Sequence, residues 1–560
     1  MGKTAVLFVL VAVSYCPALG QSTDFPLQSA FYPLLDQYAV RSGAQFFTAM
    51  KPYSRRKAAD LILNDDYTMS KVQAFNRDYI GVESREHMGD STLGKARKPL
   101  IWKLYDYESD LVSVSNEAFD LHVNPMLHFS YGFDSELDNP LFINTRGIEL
   151  RGTLDDKVSF YTNIQENQMR LPGYVQAVQD TVGVIPYEGF WKSFNDDAYD
   201  FLRAIGYIDV GFTKHLSGQF GFGRHFLGNG ERSMILSDFS NSYPYLRLTA
   251  EVWKIKYTFM FAEMIADVEF FEGGNLGSRV YPKKFFSFHH LDIAINKNLH
   301  IGLFESVLTG RPDSLGGTEF KFQYLNPIIF FGALEQQDGS ADNVIVGMDA
   351  SWNIAKRAQL YGQFVLDELI VSRLTSGEGW WGNKFAYQLG AKYYDFILPT
   401  LNLQLEFNQA RPFTYGHDGD FTSYTHYRQP LAHPLGANFT ELLFKASYQP
   451  WPRWTFRTDF LWADYGSGPV NGLSIGRNPF INTNNRGPGE SNDFGHRQGQ
   501  GIKSILTMGQ LRMSYMWKHN LFADFHIAAR SEDREDRPIN NSVFFSLGAR
   551  WNVALRDYFF

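Results

Sequence analysis

The sequence predicts an all-β protein, a transmembrane antiparallel β-barrel of about 18 strands preceded by a small N-terminal helical segment. Three observations lead there. Apolar and polar residues alternate with a period of two, over segments near the ~10 residues that a tilted strand needs to cross a bilayer. Aromatic residues are 16% of the chain and charged residues only 20%, the mixture expected when lipid-facing and lumen-facing positions alternate between aromatic girdles. After residue 20 no stretch reaches the ~18 apolar residues of a transmembrane helix, so strands must do the spanning.

Taken in order, residues 1–20 read as a signal peptide. Lys3 supplies the positive end, Ala5 to Val13 an apolar core too short to span, and Ala18-Leu19-Gly20 a cleavage site of small residues. Lipidation at Cys16 is disfavoured by the bulky Tyr15 before it. Cleavage removes the single cysteine, which excludes disulfides and thiolate metal sites from the mature chain. Residues 21–100 change period. Phe31, Leu34, Leu35 and Tyr38 recur at helical spacing. Ser54 is placed to cap a second helix carrying Ala58, Leu61 and Ile62, and Ser70 a third carrying Val72, Phe75 and Tyr79. This segment reads as a helical domain on the periplasmic side, with Lys51, Arg55, Arg56 and Lys57 as a solvated basic face.

Residues 101–560 read as the barrel, with long extracellular loops. Leu121, Val123, Pro125, Leu127, Phe129, Tyr131 and Phe133 oppose Asp120, His122, Asn124, His128 and Ser130. Ile148, Leu150 and Leu154 oppose Glu149, Arg151 and Thr153. Trp454, Phe456, Phe460 and Trp462 oppose Thr455, Arg457 and Asp459, and Leu521, Phe525 and Ile527 oppose Asp524, His526 and Arg530. Connections alternate in length. Asp155-Asp156, Lys214-His215, Trp253-Lys254, Ala355-Lys356 and Lys518-His519 are tight. Between them lie 169–198, 226–242, 267–283, 310–342, 412–438 and 467–500, as expected of periplasmic turns and outer loops. The stretch 318–336 reads either as loop or as an extra hairpin. Val543 to Val553 alternate as a closing strand, and the aromatic end at Phe560 resembles the signal read by the barrel-assembly machinery.

The chain carries no G-x-S-x-G elbow, H-E-x-x-H zinc helix or phosphate-binding glycine loop. An outer-membrane enzyme, with a Ser and a His on one strand face, is a third-ranked reading, and no enzymatic activity, metal or cofactor is expected. His289-His290 should point to opposite faces of one strand and so share no metal. A net charge of -8 argues against nucleic acid as a partner. The loops are more suggestive. Trp380, Trp381, Tyr415, Tyr427, Arg428, His433 and Asn438, with Asn229, Glu231 and Arg232 of a tight polar turn, offer rings for sugar C–H faces and planar polar groups for paired hydroxyls. The competing reading is structural, with interfacial aromatics and ordinary loop ion pairs. Glu149, Arg151, Arg457 and Asp459 should form a cross-lumen network and leave a narrow or blocked pore.

Met50-Lys51-Pro52-Tyr53 and the turn Phe226 to Ser233 make the chain similar to Wzi-type capsule-assembly proteins. Tyr324-Leu325-Asn326-Pro327, Gly379 to Lys384 and Gln429 to Asn438 resemble a gliding-motility branch, the RemB-like proteins. The resemblance implies an eighteen-stranded barrel with periplasmic helices, located in the outer membrane and acting as a lectin-like anchor for capsular or exopolysaccharide. The partners it implies are surface polysaccharide, outer-membrane lipid and lipopolysaccharide, with the barrel-assembly machinery during biogenesis. The alternative is a porin or substrate-specific channel. A TonB-dependent transporter is disfavoured, because the N-terminal segment is too short for a plug domain.

Overall fold

Alternation of side chains between two faces is what lets one sheet close on itself here. The computed structural model describes residues 22–560 apart from 64–67, 91, 97–103, 117, 156, 196, 267–281, 311–320, 329, 333–341, 419–420, 469–471 and 487–491. The expected signal peptide, the expected boundary near residue 100 and most of the loops expected at 267–283 and 310–342 lie outside these residues.

Eighteen antiparallel strands form the closed barrel. They are β1 Phe119–Asp134, β2 Leu141–Leu154, β3 Val158–Arg170, β4 Ala198–Gly211, β5 Leu216–Gly223 and β6 Tyr243–Val252. Next come β7 Ile255–Ile265, β8 Lys283–Asn296, β9 Leu299–Thr309, β10 Asn343–Ile354, β11 Ala358–Glu368 and β12 Lys384–Tyr393. The last six are β13 Leu401–Ala410, β14 Phe439–Trp451, β15 Trp454–Ser467, β16 Ile502–Lys518, β17 Leu521–Arg534 and β18 Asn540–Trp551. Neighbours in sequence pair in order, and β18 closes on β1 with Phe544 opposite Asp134 and Trp551 opposite Leu127. The faces follow the alternation. Phe129, Tyr131, Phe133, Ile148, Leu389 and Leu547 are exposed to lipid, while His122, Asn124, Glu149, Arg151 and Asp459 are buried on the lumen side. Apolar side chains gain by facing hydrocarbon, and polar ones need partners inside.

The tight turns gather at one end, which is periplasmic, and the long connections at the other. Helices α1 Phe31–Ser42, α2 Arg55–Leu63 and α3 Lys71–Glu83 lie across the tight-turn end. They share a core of Phe25, Phe31, Leu35, Tyr38, Tyr53, Leu61, Ile62 and Ile80. Ser70 caps α3 in a reciprocal box with Gln73. Hydrogen bonds tie the helices to turn after turn: Gln45 donates to the Trp253 carbonyl at 3.0 Å, Gln73 to Asp395 at 3.0 Å and Asn76 to Gln449 at 2.7 Å. The basic cluster is not uniformly solvated. Arg55 is fully buried, paired with Glu83 at 2.6 Å and stacked over Phe25, and Lys51 is buried over the Phe226 ring. Only Lys57 has the expected exposed head, pairing with Glu251 at 2.8 Å. A helix lying flat on a barrel mouth has one dry side, and Arg55 falls on it.

Three further departures concern the outer wall and the chain end. Among the described residues of 318–336 there is no strand, but a 3-10 turn at Phe322–Leu325 and a helical turn at Phe331 and Gly332, so the hairpin alternative fails there. That segment instead covers the lipid-facing side of β7–β9. His289 and Glu305 face outward opposite each other in the register, 2.9 Å apart. Tyr324 and Phe331 pack over them, with the Phe331 and Gly332 N–H groups donating to Glu305 at 2.9 and 2.8 Å. A polar imidazole–carboxyl pair on the lipid face is costly uncovered, and the segment hides it. His290, on the other face, pairs with Asp349 inside at 2.6 Å. Finally, β18 stops at Trp551 rather than running on through Val553. Asn552 takes a positive φ of 54°, and residues 553–560 turn back into the lumen. There Arg556 and Asp557 find polar partners that lipid could not supply, Asn167 at 2.6 Å and Arg512 at 2.9 Å.

Candidate functional site at the outer mouth

The lumen is filled by the chain's own segments. Met50 and Lys51, from the linker between α1 and α2, reach inside and pair antiparallel with Leu227 and Phe226. The two stretches that carry the capsule-protein resemblance therefore touch. The turn they reach is anchored to the wall. Backbone N–H groups of Glu231 and Arg232 donate to Glu406 at 2.7 and 3.0 Å, and the Arg232 guanidinium donates to Glu441 at 3.2 Å and to the Phe559 carbonyl. A side chain at Gly230 is disfavoured, since a Cβ would stand 2.8 Å from the Arg232 carbonyl as well as 2.6 Å from the Glu406 carboxylate. Glu231 pairs with Lys445 and, at 3.5 Å, with Arg457. His433 Nδ1 accepts the Leu435 N–H, which fixes the tautomer, so Nε2 donates to Glu441 at 2.8 Å. Arg457 also holds Asp459 at 2.8 Å and Asp557 at 3.2 Å.

These contacts decide what most of the sequence-nominated residues do. Tyr415 donates to the Met234 carbonyl at 2.6 Å and stacks on Tyr424. Asn438, at φ 55°, bonds Gln500 and Gly499, each at 2.8 Å, and Asn229 accepts from Thr48. Asn229, Arg232, Tyr415, His433 and Asn438 are all buried, and their polar atoms serve the chain itself. In this conformation a polysaccharide at the surface does not reach them. Glu231 belongs to the same lumenal network.

The remaining four lie at the outer end, in two places. Tyr427 and Arg428 are the two turn residues of a miniature hairpin joining Thr425–His426 to Gln429–Pro430, with φ of 49° and 57°. Positive φ at both positions is the turn that suits strand twist. Trp380 and Trp381 are half-buried with ring centroids 6.1 Å apart. Arg486 lies 3.9 Å over Trp381, whose other neighbours are Phe413 and the Lys384 ammonium. One face of Trp381 is thus already stacked, and the Trp380 ring lies over Gly382.

Beside the hairpin is a cleft of about 370 Å³. Helix α4, Gly173–Val182, forms one side, residues 428–436 and 474–481 another, and the upper ends of β15 and β17 the third. Tyr174, Tyr465 and Phe560 are buried beneath. Arg477 stacks 3.9 Å over Tyr465, and Arg530 lies 4.9 Å over Tyr174. Glu532 accepts from Tyr465 at 2.6 Å and pairs with Arg530 at 3.3 Å and Arg537 at 3.0 Å. The sequence reading found Arg428 but missed Arg477, Arg534 and Arg537, and gave Arg530 only a lumenal position. The available signal was Arg530, Glu532 and Arg534 at alternate positions running off the end of a strand. A second cavity, about 360 Å³, lies below, between the helices and a layer that includes Glu231, Arg232, Asp557 and Phe559.

No protein-family model matches the chain, and no curated protein sequence does. Its structure is similar to that of Wzi, described as an outer membrane protein involved in group 1 capsule assembly in Escherichia coli and a carbohydrate-binding β-barrel. The TM-score is 0.55 at 13% identity, covering 96% of this chain and 100% of that one. The chain is an outer-membrane β-barrel. At this identity the likeness establishes fold alone. OccK8 (OprE) and OprD of Pseudomonas aeruginosa give TM-scores of 0.40 and 0.42 at 10% and 12% identity. They cover 77% of this chain and 97% and 93% of their own, too weak a likeness to carry function.

Proposed function

We propose that this barrel binds or anchors capsular or extracellular polysaccharide at the cell surface, lectin-like and without catalysis. On this reading its relatives are the Wzi-type capsule-assembly proteins and their RemB-like gliding-motility branch. The observation that supports this reading most is the division of the molecule. Phe226–Phe239, the 411–438 loop and the chain end interlock in one buried cluster within the lumen, and the helices lie across the periplasmic end. A solute channel needs a continuous polar path. Function is left to the outer mouth, where Trp380, Tyr427, Arg428 and the cleft face outward. The carbohydrate binding stated for Wzi agrees with this.

Two measurements test it, one on refolded protein and one in cells. In planar bilayers the expected result is the absence of large steady conductance. In cells the intact protein should retain surface polysaccharide that a deletion strain sheds. Large steady conductance would return the porin reading, and unaltered glycan retention in the deletion strain would remove the polysaccharide role.

A further inference from the structure

Resting on the polysaccharide reading, we propose that the outer cleft takes an acidic glycan, whose carboxylates dock against Arg477, Arg530, Arg534 and Arg537. Five guanidinium groups, these four and Arg428, line the cleft against a single carboxylate, Glu532. That carboxylate is already engaged by Arg530, Arg537 and Tyr465. Arg477 has no carboxylate within ion-pair distance among the described residues. Its guanidinium is held by Tyr465 and by a 3.4 Å bond to Ser467. Arg534 pairs with Asp536, an exposed residue outside the cleft lining.

The depth profile suits a chain entering from outside. Side-chain exposure falls from 45% at Arg537 to 21% at Arg534 and 9% at Arg530. The innermost of these, Arg530, has a buried Nε with no hydrogen-bond partner among the described residues. A buried guanidinium N–H left unpaired is costly, and a planar anion is its best complement. The apolar wall opposite, Ala177, Val178, Leu435 and Ile475, suits the C–H faces of sugar rings. Lipopolysaccharide phosphate is disfavoured as the occupant. Arg530, Glu532 and Arg534 alternate with lipid-facing positions and point to the lumen side of β17, away from the bilayer surface.

The test is calorimetric titration of refolded full-length protein with polygalacturonate oligomers and with dextran oligomers of matched length. Polygalacturonate is expected to bind roughly tenfold tighter than dextran, and more weakly as salt rises. Arg477→Gln combined with Arg530→Gln should lower its affinity by roughly tenfold or more. Should that variant fail the heat-modifiability test of folding, Arg537→Glu, at the solvent-exposed rim, is expected to lower affinity about threefold with folding intact. Dextran and polygalacturonate binding equally well, with no response to the arginine substitutions, would overturn the acidic assignment and leave the polysaccharide reading standing. Absence of binding to either glycan would overturn both.

Discussion

Arg55 and Glu83 join α2 to α3 beneath the periplasmic end, and replacing Arg55 with Met tests what their pairing contributes. Both side chains are almost wholly buried and stand 2.6 Å apart. Burial by itself raises a carboxyl. Arg55, His519 donating to the same group and Arg151 together outweigh it, and Glu83 falls from an ordinary 4.5 to about 2. At about 1.4 kcal/mol per pH unit that difference is about 3 kcal/mol, at the lower edge of the ~3–5 kcal/mol lost when one partner of a buried pair is removed. Arg55→Met should therefore raise opening of the helical segment roughly 100-fold at neutral pH. Amide hydrogen exchange in detergent reads this directly, with α2 and α3 losing protection while the barrel strands serve as the internal reference. The folded value lies below the unfolded one. The contribution is thus complete above about pH 4.5 and fades as pH falls toward about 2. Wild-type helices should loosen across that window, and the variant should lose most of that dependence. Unchanged protection of α2 and α3 in the variant at neutral pH would refute the reasoning.

Arg232→Ala should destabilise the folded barrel by about 3–5 kcal/mol, because Glu441 is left buried with only neutral or weakly basic company. A lowered temperature of the heat-modifiability transition would report it. Leu389 stands exposed on the lipid face of β12, and Leu389→Arg should cost about 2–4 kcal/mol near the bilayer midplane. A urea midpoint equal to wild type in liposomes would show that this face does not meet hydrocarbon. Replacing both Trp380 and Trp381 with Ala should weaken retention of surface polysaccharide without reducing barrel assembly. Cell-surface glycan staining beside a folding gel checks this, and unchanged staining on a folded barrel removes the two rings from the site.

What the sequence by itself determined was the wall. Phe129, Tyr131 and Phe133 against His122, Asn124 and His128 need only the two-residue repeat of an extended chain to sort lipid from lumen. The positions of turns and the helical spacing of Phe31, Leu35 and Tyr38 are equally local. Tertiary structure alone decided what enters the barrel. Nothing near Glu231-Arg232 announces Glu441 or Glu406, each more than 170 residues away. Nothing in Arg556-Asp557 announces a chain end folded back among Arg457 and Arg512. The pairing of Met50-Lys51 with Phe226-Leu227 and the outward His289–Glu305 pair under its covering segment are hidden for the same reason. So is the convergence of Arg428, Arg477 and Arg530 on one cleft. The physical reason is one of range. Periodicity is set by backbone geometry within a few residues. Charge pairing and hydrogen bonding inside a closed barrel are set by whichever distant groups the closure brings face to face.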